Sequence, residues 1–406
     1  MSVASLFAPL GELNDTDLLT TLRGQDEPEW LLERRAAAWQ QFATSAPPIW
    51  KRTDMSKLRA DQIKAPTAPS GTNVTWDATY ASQGVVVARI ADAVLSHSAL
   101  IKQYLGTAVD ATAHKFAALQ AALWRDGLLI YVPKGVAVEA PIHATFSFGG
   151  GASAFFAHNL VILEPGASLT LIEEYTSPDM SAQSYAAPVT ELFLGDGSML
   201  RYTWIQAWGA NVYHVGSQIA KVGNDATLEW AAVNLGGKLQ HNESETYLGG
   251  NGAKVDWIAS TFAGDGQVLL NAPWLRHVGA NTDGHMDFKT VVNGGGYTTF
   301  DGMIKIEKGS RSTASRLEEH AIHLSPAARS DSIPGLKIDT NDVQRAGHAS
   351  TSGQVDEEML FYMRSRGIQR EDAINLIVMG FFEPVLDRIV DETVRERIAH
   401  LIDAKI

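Results

Sequence analysis

The stretch GASLTLIEEY, residues 166–175, opens on a turn glycine and then alternates, with Leu169 and Leu171 on either side of Thr170. Alternation of this kind places every second side chain on one face of a strand. The pattern returns along the chain. GVAVEA (135–140), GSMLRY (197–202), DATLEW (225–230), GAKVDW (252–257) and DGHMDF (283–288) each carry apolar or aromatic residues three and five positions after a turn residue. The inward pairs are Val138/Ala140, Leu169/Leu171, Leu200/Tyr202, Leu228/Trp230, Val255/Trp257 and Met286/Phe288, and the intervening Glu139, Thr170, Arg201, Glu229, Asp256 and Asp287 belong on the outer face. A seventh anchor at Gly309 breaks the rule, with Ser312 and Ala314 at the inward positions.

Successive anchors lie 26–31 residues apart. A fixed period in that range, with short strands and no helical segment, describes a β-solenoid. A β-sandwich would also give regular turns, but it does not demand that the repeat stay in phase. The expected fold is therefore mainly β, a parallel β-helix core with helical flanks. Helical periodicity in EPEWLLERRAAAWQQFATSAPP puts Trp30, Leu31, Arg34, Ala38 and Trp39 on one side, and Pro47–Pro48 ends the run. A linker is expected at 63–76, then two helices in VVVARIADAVLSHSALIKQYLGT (85–107) and AHKFAALQAALWRDG (113–127). After residue 352 helices return, the second of them interrupted at Gly380 and Pro384. The organisation expected is a helical domain at 1–100, a solenoid at 101–351 with a helical lead-in to about 126, and a helical domain at 352–406. The open ends of a solenoid need caps, and the two helical zones are the candidates.

Composition narrows the function. A net charge of −13 speaks against a nucleic-acid surface. The opening MSVASLFAPLGELNDTD has no basic segment, so no secretory signal is expected, and AINLIVMGFF (373–382) is too short to span a bilayer. The expected location is the cytoplasm, without membrane or nucleic-acid partners. The chain has no cysteine, which removes disulfides, thiolate nucleophiles and any zinc or iron–sulfur site built on its own thiolates. No phosphate-binding loop, nucleophile elbow or HExxH is present. FGGGAS (148–153) and NGGGY (293–297) read as tight corners. His320 and His323 would face opposite ways on a strand. Of His277, Asp283, His285 and Asp287, three fall at an inferred turn, where polar residues are common. The chain is therefore not expected to be an enzyme. A β-helix carbohydrate lyase or hydrolase and a homodimeric structural adaptor remain as other readings.

SDSIPGLKIDTNDV (330–343), a following histidine, GQVDEEMLFYMRSRGI (353–368) and AINLIVMGFF together resemble the SufB/SufD family of iron–sulfur cluster assembly proteins. PPIWKRTDMSKL (47–58) resembles that family's opening region. The resemblance implies a right-handed parallel β-helix and a scaffold role. It implies pairing of a SufB-like with a SufD-like subunit through their β-helices, and docking of a SufC-like ABC ATPase on the C-terminal helices. SufB-type chains supply a cysteine to the cluster, so a chain without cysteine fits the SufD role. No cofactor is implied for this chain alone. A nascent iron–sulfur cluster is implied at the level of the complex, and whether a flavin joins that complex is not legible in the sequence.

His348 is, by the same resemblance, the candidate cluster or iron ligand at the partner interface. The segment before it is one residue longer than the family's usual spacing. In a strand that shift reverses a side chain's facing unless a bulge absorbs it, and Gly347 is the residue expected to permit one. The candidate docking surface comprises Met359, Leu360, Phe361, Tyr362, Met363, Arg364, Arg366, Phe381 and Phe382, more apolar surface than a short helix pair buries on itself.

Overall fold

The computed structural model describes residues 27–59, 71–149 and 154–406. Two facing sheets form a solenoid, and the chain passes from one to the other coil by coil. Sheet one runs in the order β1 (Gly71–Thr75), β4 (Ile142–Ser147), β6 (Ser168–Thr176), β8 (Met199–Ala207), β10 (Thr227–Asn234), β12 (Lys254–Ala263), β14 (Asp283–Val292), β17 (Thr313–His323) and β20 (Val343–Gln354). Sheet two runs β2 (Val86–Arg89), β3 (Leu128–Val132), β5 (Ala154–Leu163), β7 (Ser184–Leu194), β9 (Val212–Val222), β11 (Leu239–Leu248), β13 (Val268–His277), β15 (Tyr297–Phe300) and β18 (Arg329–Ser332). Beside the last of these, β16 (Met303–Ile306) and β19 (Gly335–Ile338) continue from β13. The pairings are parallel except at one end, where β1 and β2 add antiparallel to β4 and β3.

The expected parallel solenoid is present, and its corners explain the repeat. Gly135, Gly166, Gly197, Asp225, Gly252, Asn281 and Ser312 all take a left-handed φ, between 52° and 71°. Each donates its N–H to the carbonyl of the residue just before the next corner, from Gly135→Pro165 through Ser312→Asp342, at 2.7–3.0 Å. Glycine takes this conformation freely, and Asn and Asp tolerate it better than other residues. Two anchors differ from expectation, being Asn281 instead of Asp283 and Ser312 instead of Gly309. With Ser312 as anchor Leu317 falls five residues on, in register with Met286, while the position three residues on is Ser315. In the first coil Leu171 lies opposite Ile142 and not Ala140, since Val138 and Ile142 are separated by two extra residues.

Ile142, Leu171, Tyr202, Trp230, Trp257, Met286 and Leu317 stack in register up the inner face of sheet one, and all are buried. Trp230 and Trp257 are parallel at 4.2 Å. Each such side chain contributes roughly 1.5–3 kcal/mol by leaving water. The column is the main core of the molecule.

The helices do not cap the ends. They lie along the flanks, because both sheets are apolar on their outer faces too. Helices α1 (Glu29–Thr44), α2 (Ile90–Ser96), α3 (Ser98–Tyr104) and α4 (Lys115–Leu123) pack on Phe156, Leu160, Tyr185 and Val215 of sheet two. Helices α5 (Glu357–Ser365), α6 (Arg370–Leu386) and α7 (Glu392–Asp403) bring Val378, Phe382 and Ile398 onto Ile172, Ile205, Ile258 and Phe262 of sheet one. The segment at 85–107 is not one helix: the β-branched run at Val86 and Val87 joins sheet two as β2, and His97 separates α2 from α3. Of the expected linker, 71–75 is strand β1, while 63–70 lies outside the described residues, as do 150–153 of the first glycine-rich corner. The second, at 293–297, is a corner with Gly294 at φ 56°. Helix α6 runs through Gly380 and Pro384 without a break. Pro384 stands in the last turn, and the carbonyl its ring approaches, four residues back, belongs to a glycine.

Replacing Gly197 by alanine isolates the conformational cost of a corner, because its added Cβ meets nothing within 4 Å. The expected loss is about 1–2 kcal/mol, read as a lower denaturation midpoint at constant slope. His277 gives a pH signature. It is buried, faces Thr282 Oγ1 at 2.8 Å and Ser315 Oγ at 2.9 Å, and burial lowers its pKa to about 4. Unfolding restores a value near 6.5. The unfolded chain therefore binds the extra proton first as pH falls. Stability is complete above pH 6.5 and declines by about 3 kcal/mol toward pH 4 from this residue. Denaturation of wild type and His277→Gln across that window should show a shallower pH slope in the variant.

Candidate interface at the open end of the solenoid

At one end of the solenoid the sheets terminate in the antiparallel strands β1 and β2, and at the other sheet one terminates in β20. Strand β20 is one edge of sheet one, bonded among the described residues to β17 alone, and most of its twelve residues are exposed. Its register holds the expected bulge at an unexpected place. Val343 pairs with Thr313 and Arg345 with Ala314, so Gln344 is the extra residue and Gly347 lies in regular ladder. Beyond the bulge Ala346, His348, Ser350 and Ser352 stand opposite Ser315, Leu317, Glu319 and Ala321. Paired residues of parallel strands share a face. His348 is thus the last member of the column that runs from Ile142 to Leu317. Where lower coils bury a large apolar side chain, the end coil presents an exposed imidazole.

Beneath the edge lies a group not anticipated in the sequence. Glu319 is 1% exposed, and Ser350 Oγ donates to its Oε2 at 2.9 Å. Ser332 of β18 is 2.7 Å from Ser350 Oγ. Burial raises the Glu319 pKa, and hydrogen bonds from Ser332 and Ser350 only partly oppose it. The parity of β17 was the available signal: if Leu317 points inward, so does Glu319.

The 47–58 segment lies across sheet two, and its Arg52 reaches the coil at the same end. Trp50 stacks on His241 at 3.7 Å, Thr53 Oγ1 lies 2.8 Å from His241 Nδ1, and Arg52 meets Asp331 of β18 at 2.6 Å.

The candidate docking residues divide. Met359, Phe361 and Tyr362 are 49%, 72% and 59% exposed, with Leu376 of α6 at 55% beside them. Arg364 and Arg366 are exposed, the latter over the Tyr362 ring at 5.2 Å, and Met363 is half-buried. Leu360 and Phe382 are buried inside the chain, and Phe381 is half-buried under Lys289. Asp356 caps α5 by accepting from Glu358 N at 2.8 Å, with Glu357 and Glu358 in the first turn and Arg364 in the last. The helices after α5 are tied to the solenoid by ion pairs. Arg397 of α7 grips buried Glu174 of β6, with Nη2 to Oε2 at 2.6 Å, and Arg388 bonds Asp256 of β12. Burial alone would raise the Glu174 pKa, but His143 and Arg397 outweigh it and the carboxylate stays below its ordinary range.

The other histidines are occupied locally. His320 faces Thr351 at 2.7 Å and His323 faces Ser330 at 2.8 Å. His277 is interior. His285 bridges Asp256 at 3.1 Å and Glu318 at 3.6 Å, and the hydrogen bond to Asp256 raises its pKa against the effect of burial. Asp287 pairs with Lys289 at 3.4 Å. Among the described residues no three His, Asp or Glu groups are placed to hold a metal, and no helix is long and apolar enough to cross a membrane.

Residues 146–381 match the model of the SUF system FeS cluster assembly, SufBD core domain, and residues 70–144 match that of the SufBD protein N-terminal region. The chain belongs to the SufBD family of iron–sulfur cluster assembly proteins. It is 31% identical to an iron–sulfur cluster assembly SufBD family protein of Staphylococcus saprophyticus over 401 residues, 89% of this chain and 86% of the relative. A relative of the same description in Staphylococcus epidermidis is 30% identical over 421 residues, covering 94% and 90%, and one in Staphylococcus aureus is 30% identical over 401 residues, covering 89% and 86%. SufBD membership leaves the carbohydrate-active reading without support. Within this SufBD chain, Arg397→Ala leaves a buried carboxylate without its cation. The expected cost is on the order of 2 kcal/mol, less than for a fully buried pair because Arg397 is half exposed. Limited proteolysis should then release α5–α7 before the solenoid is cut.

Proposed function

We propose that this chain is the SufD-like, non-catalytic scaffold of a cytoplasmic iron–sulfur cluster assembly complex. The observation that carries the reading is the edge strand β20, uncovered among the described residues and carrying His348, on a chain with no cysteine. An exposed edge strand offers a row of unpaired backbone groups and binds another edge strand readily. A SufB-like subunit meets that need by adding its own terminal coil. Two solenoids then share one core, and Ala346, His348, Ser350 and Ser352 become interior to the joint. With the partner absent, a second copy of this chain is the alternative occupant of the same edge.

The nascent cluster is cargo of the complex. His348 offers it an imidazole across the joint while the partner supplies thiolates. The exposed Met359, Phe361, Tyr362 and Leu376 form a second surface on the flank of sheet one. Aromatic and Met side chains ringed by Arg364 and Arg366 suit a protein interface, and a SufC-like ATPase is the partner assigned to it. Held by α6 and α7 against the coils, that patch transmits motion of the ATPase to the solenoid as one body.

Co-purification with SufB- and SufC-like partners separates these roles. Wild type should recover both. Ser352→Glu, which forces a carboxylate into the joint core, should lose the SufB-like subunit and keep the ATPase. Phe361→Asp/Tyr362→Asp should do the reverse, and His348→Ala should assemble yet accumulate less cluster. Recovery of neither partner by wild type, with both soluble, contradicts the proposal.

A further inference from the structure

His158 of β5 and Glu191 of β7 form a buried pair on the outer face of sheet two, with Nε2 of the ring 2.8 Å from Oε2 of the acid. His158 stands between Phe156 and Leu160 in a row that is otherwise apolar. Oε1 of Glu191 accepts from the amides of Ala108 at 2.7 Å and Val109 at 2.9 Å, and Oε2 from that of Gly106 at 2.7 Å. Burial would raise the Glu191 pKa, but His158 and the amides of Val109 and Gly106 outweigh it, so the group is a carboxylate. A carboxylate only accepts hydrogen bonds. The nitrogen facing it therefore carries the hydrogen, and in the neutral imidazole Nδ1 is a bare acceptor. That Nδ1 is buried and has no hydrogen-bond partner among the described residues.

The same histidine lines a cavity of about 450 Å³ between α1, α4 and the loop that joins α3 to α4. Leu31, Ala38, Ala117, Ala121 and Trp124 make most of its wall apolar. The alanines contributed by α1 and α4 leave space that larger side chains would fill. Polar side chains around it are engaged elsewhere. Arg34 donates to the carbonyls of Leu105 at 2.8 Å and Lys102 at 3.2 Å, Gln120 Nε2 to that of Ala157 at 2.9 Å, and Asp110 accepts from Thr112 N at 2.8 Å. We propose that this cavity binds a small uncharged amphipathic molecule, an apolar body with one hydroxyl or amide N–H that donates to His158 Nδ1. The volume suits a small organic ligand, and an apolar wall with one fixed polar group is the usual make-up of such a site. Burying an unpaired acceptor is unfavourable, and a donor carried in by the ligand removes that cost. Glu191 holds the ring in its accepting tautomer, and an acceptor backed by a carboxylate selects against an anion. The cavity belongs to sheet two, so it stands apart from the β20 edge and the α5 patch on sheet one.

Calorimetric titration of the full-length chain with 2-naphthol and with 2-methoxynaphthalene, the same ring with its donor methylated, tests this directly. Wild type should bind one 2-naphthol at least fivefold more tightly than the methyl ether. His158→Phe should erase that preference. Ala121→Phe, which fills the space and leaves the His158–Glu191 pair in place, should take up neither probe while melting no lower than wild type. Equal binding of the two probes by wild type, or binding of neither, overturns the proposal whether or not a variant folds. A preference that survives His158→Phe, or binding undiminished in Ala121→Phe, overturns it as well.

Discussion

Each coil of this molecule is satisfied only by the next. A backbone segment in one turn cannot pair with itself, so its N–H and C=O groups need the coil above and the coil below. The corner ladder from Gly135 to Asp342 shows the same dependence at single-residue resolution. Such an arrangement has no internal reason to stop. At one end the last strands added, β1 and β2, run antiparallel to the rest. At the other, β20 is left with one neighbour, and the core column that had been dry for seven coils ends in an imidazole exposed to water. The proposed pairing surface is thus the place where the fold's own rule is left incomplete.

The flanking helices follow from the same sheets. Strand β5 is buried along its whole length, which requires cover on both faces. The outer apolar positions of sheet one at Ile172, Ile205 and Ile258 call α6 and α7 to that flank, and ion pairs at Glu174 and Asp256 fix their register. The helices are consequently spent on the flanks, and among the described residues none covers the β20 edge.

Much of this was legible in the chain. Period-two alternation identified the inner faces, and it survived a misplaced anchor: moving from Asp283 to Asn281 is a two-residue step, which leaves every side chain on the same face. For that reason Met286 and Phe288 were read as inward although the corner was not where expected. Parity also made Glu319 available, had Leu317 been taken as its reference. Other features were hidden. Nothing about Gln344 marks it as a bulge, since the backbone there is shaped by the pairing with Thr313 and Ala314, thirty residues away in sequence. The strand at Val86–Arg89 was masked by the helical segments around it. Leu360 and Phe382 could not be told from Phe361 by sequence, because only the docking of α5 and α6 decides which faces are covered.

Hydrogen–deuterium exchange along 343–354 tests the central claim most directly, measured on the chain alone and after addition of a SufB-like partner. The account predicts rapid exchange of the amides of β20 that face away from β17 in the isolated chain, and strong protection of those same amides in the pair, with 359–376 unchanged until the ATPase is added. Equal exchange of 343–354 in both states, in a mixture shown to contain the complex, would contradict it.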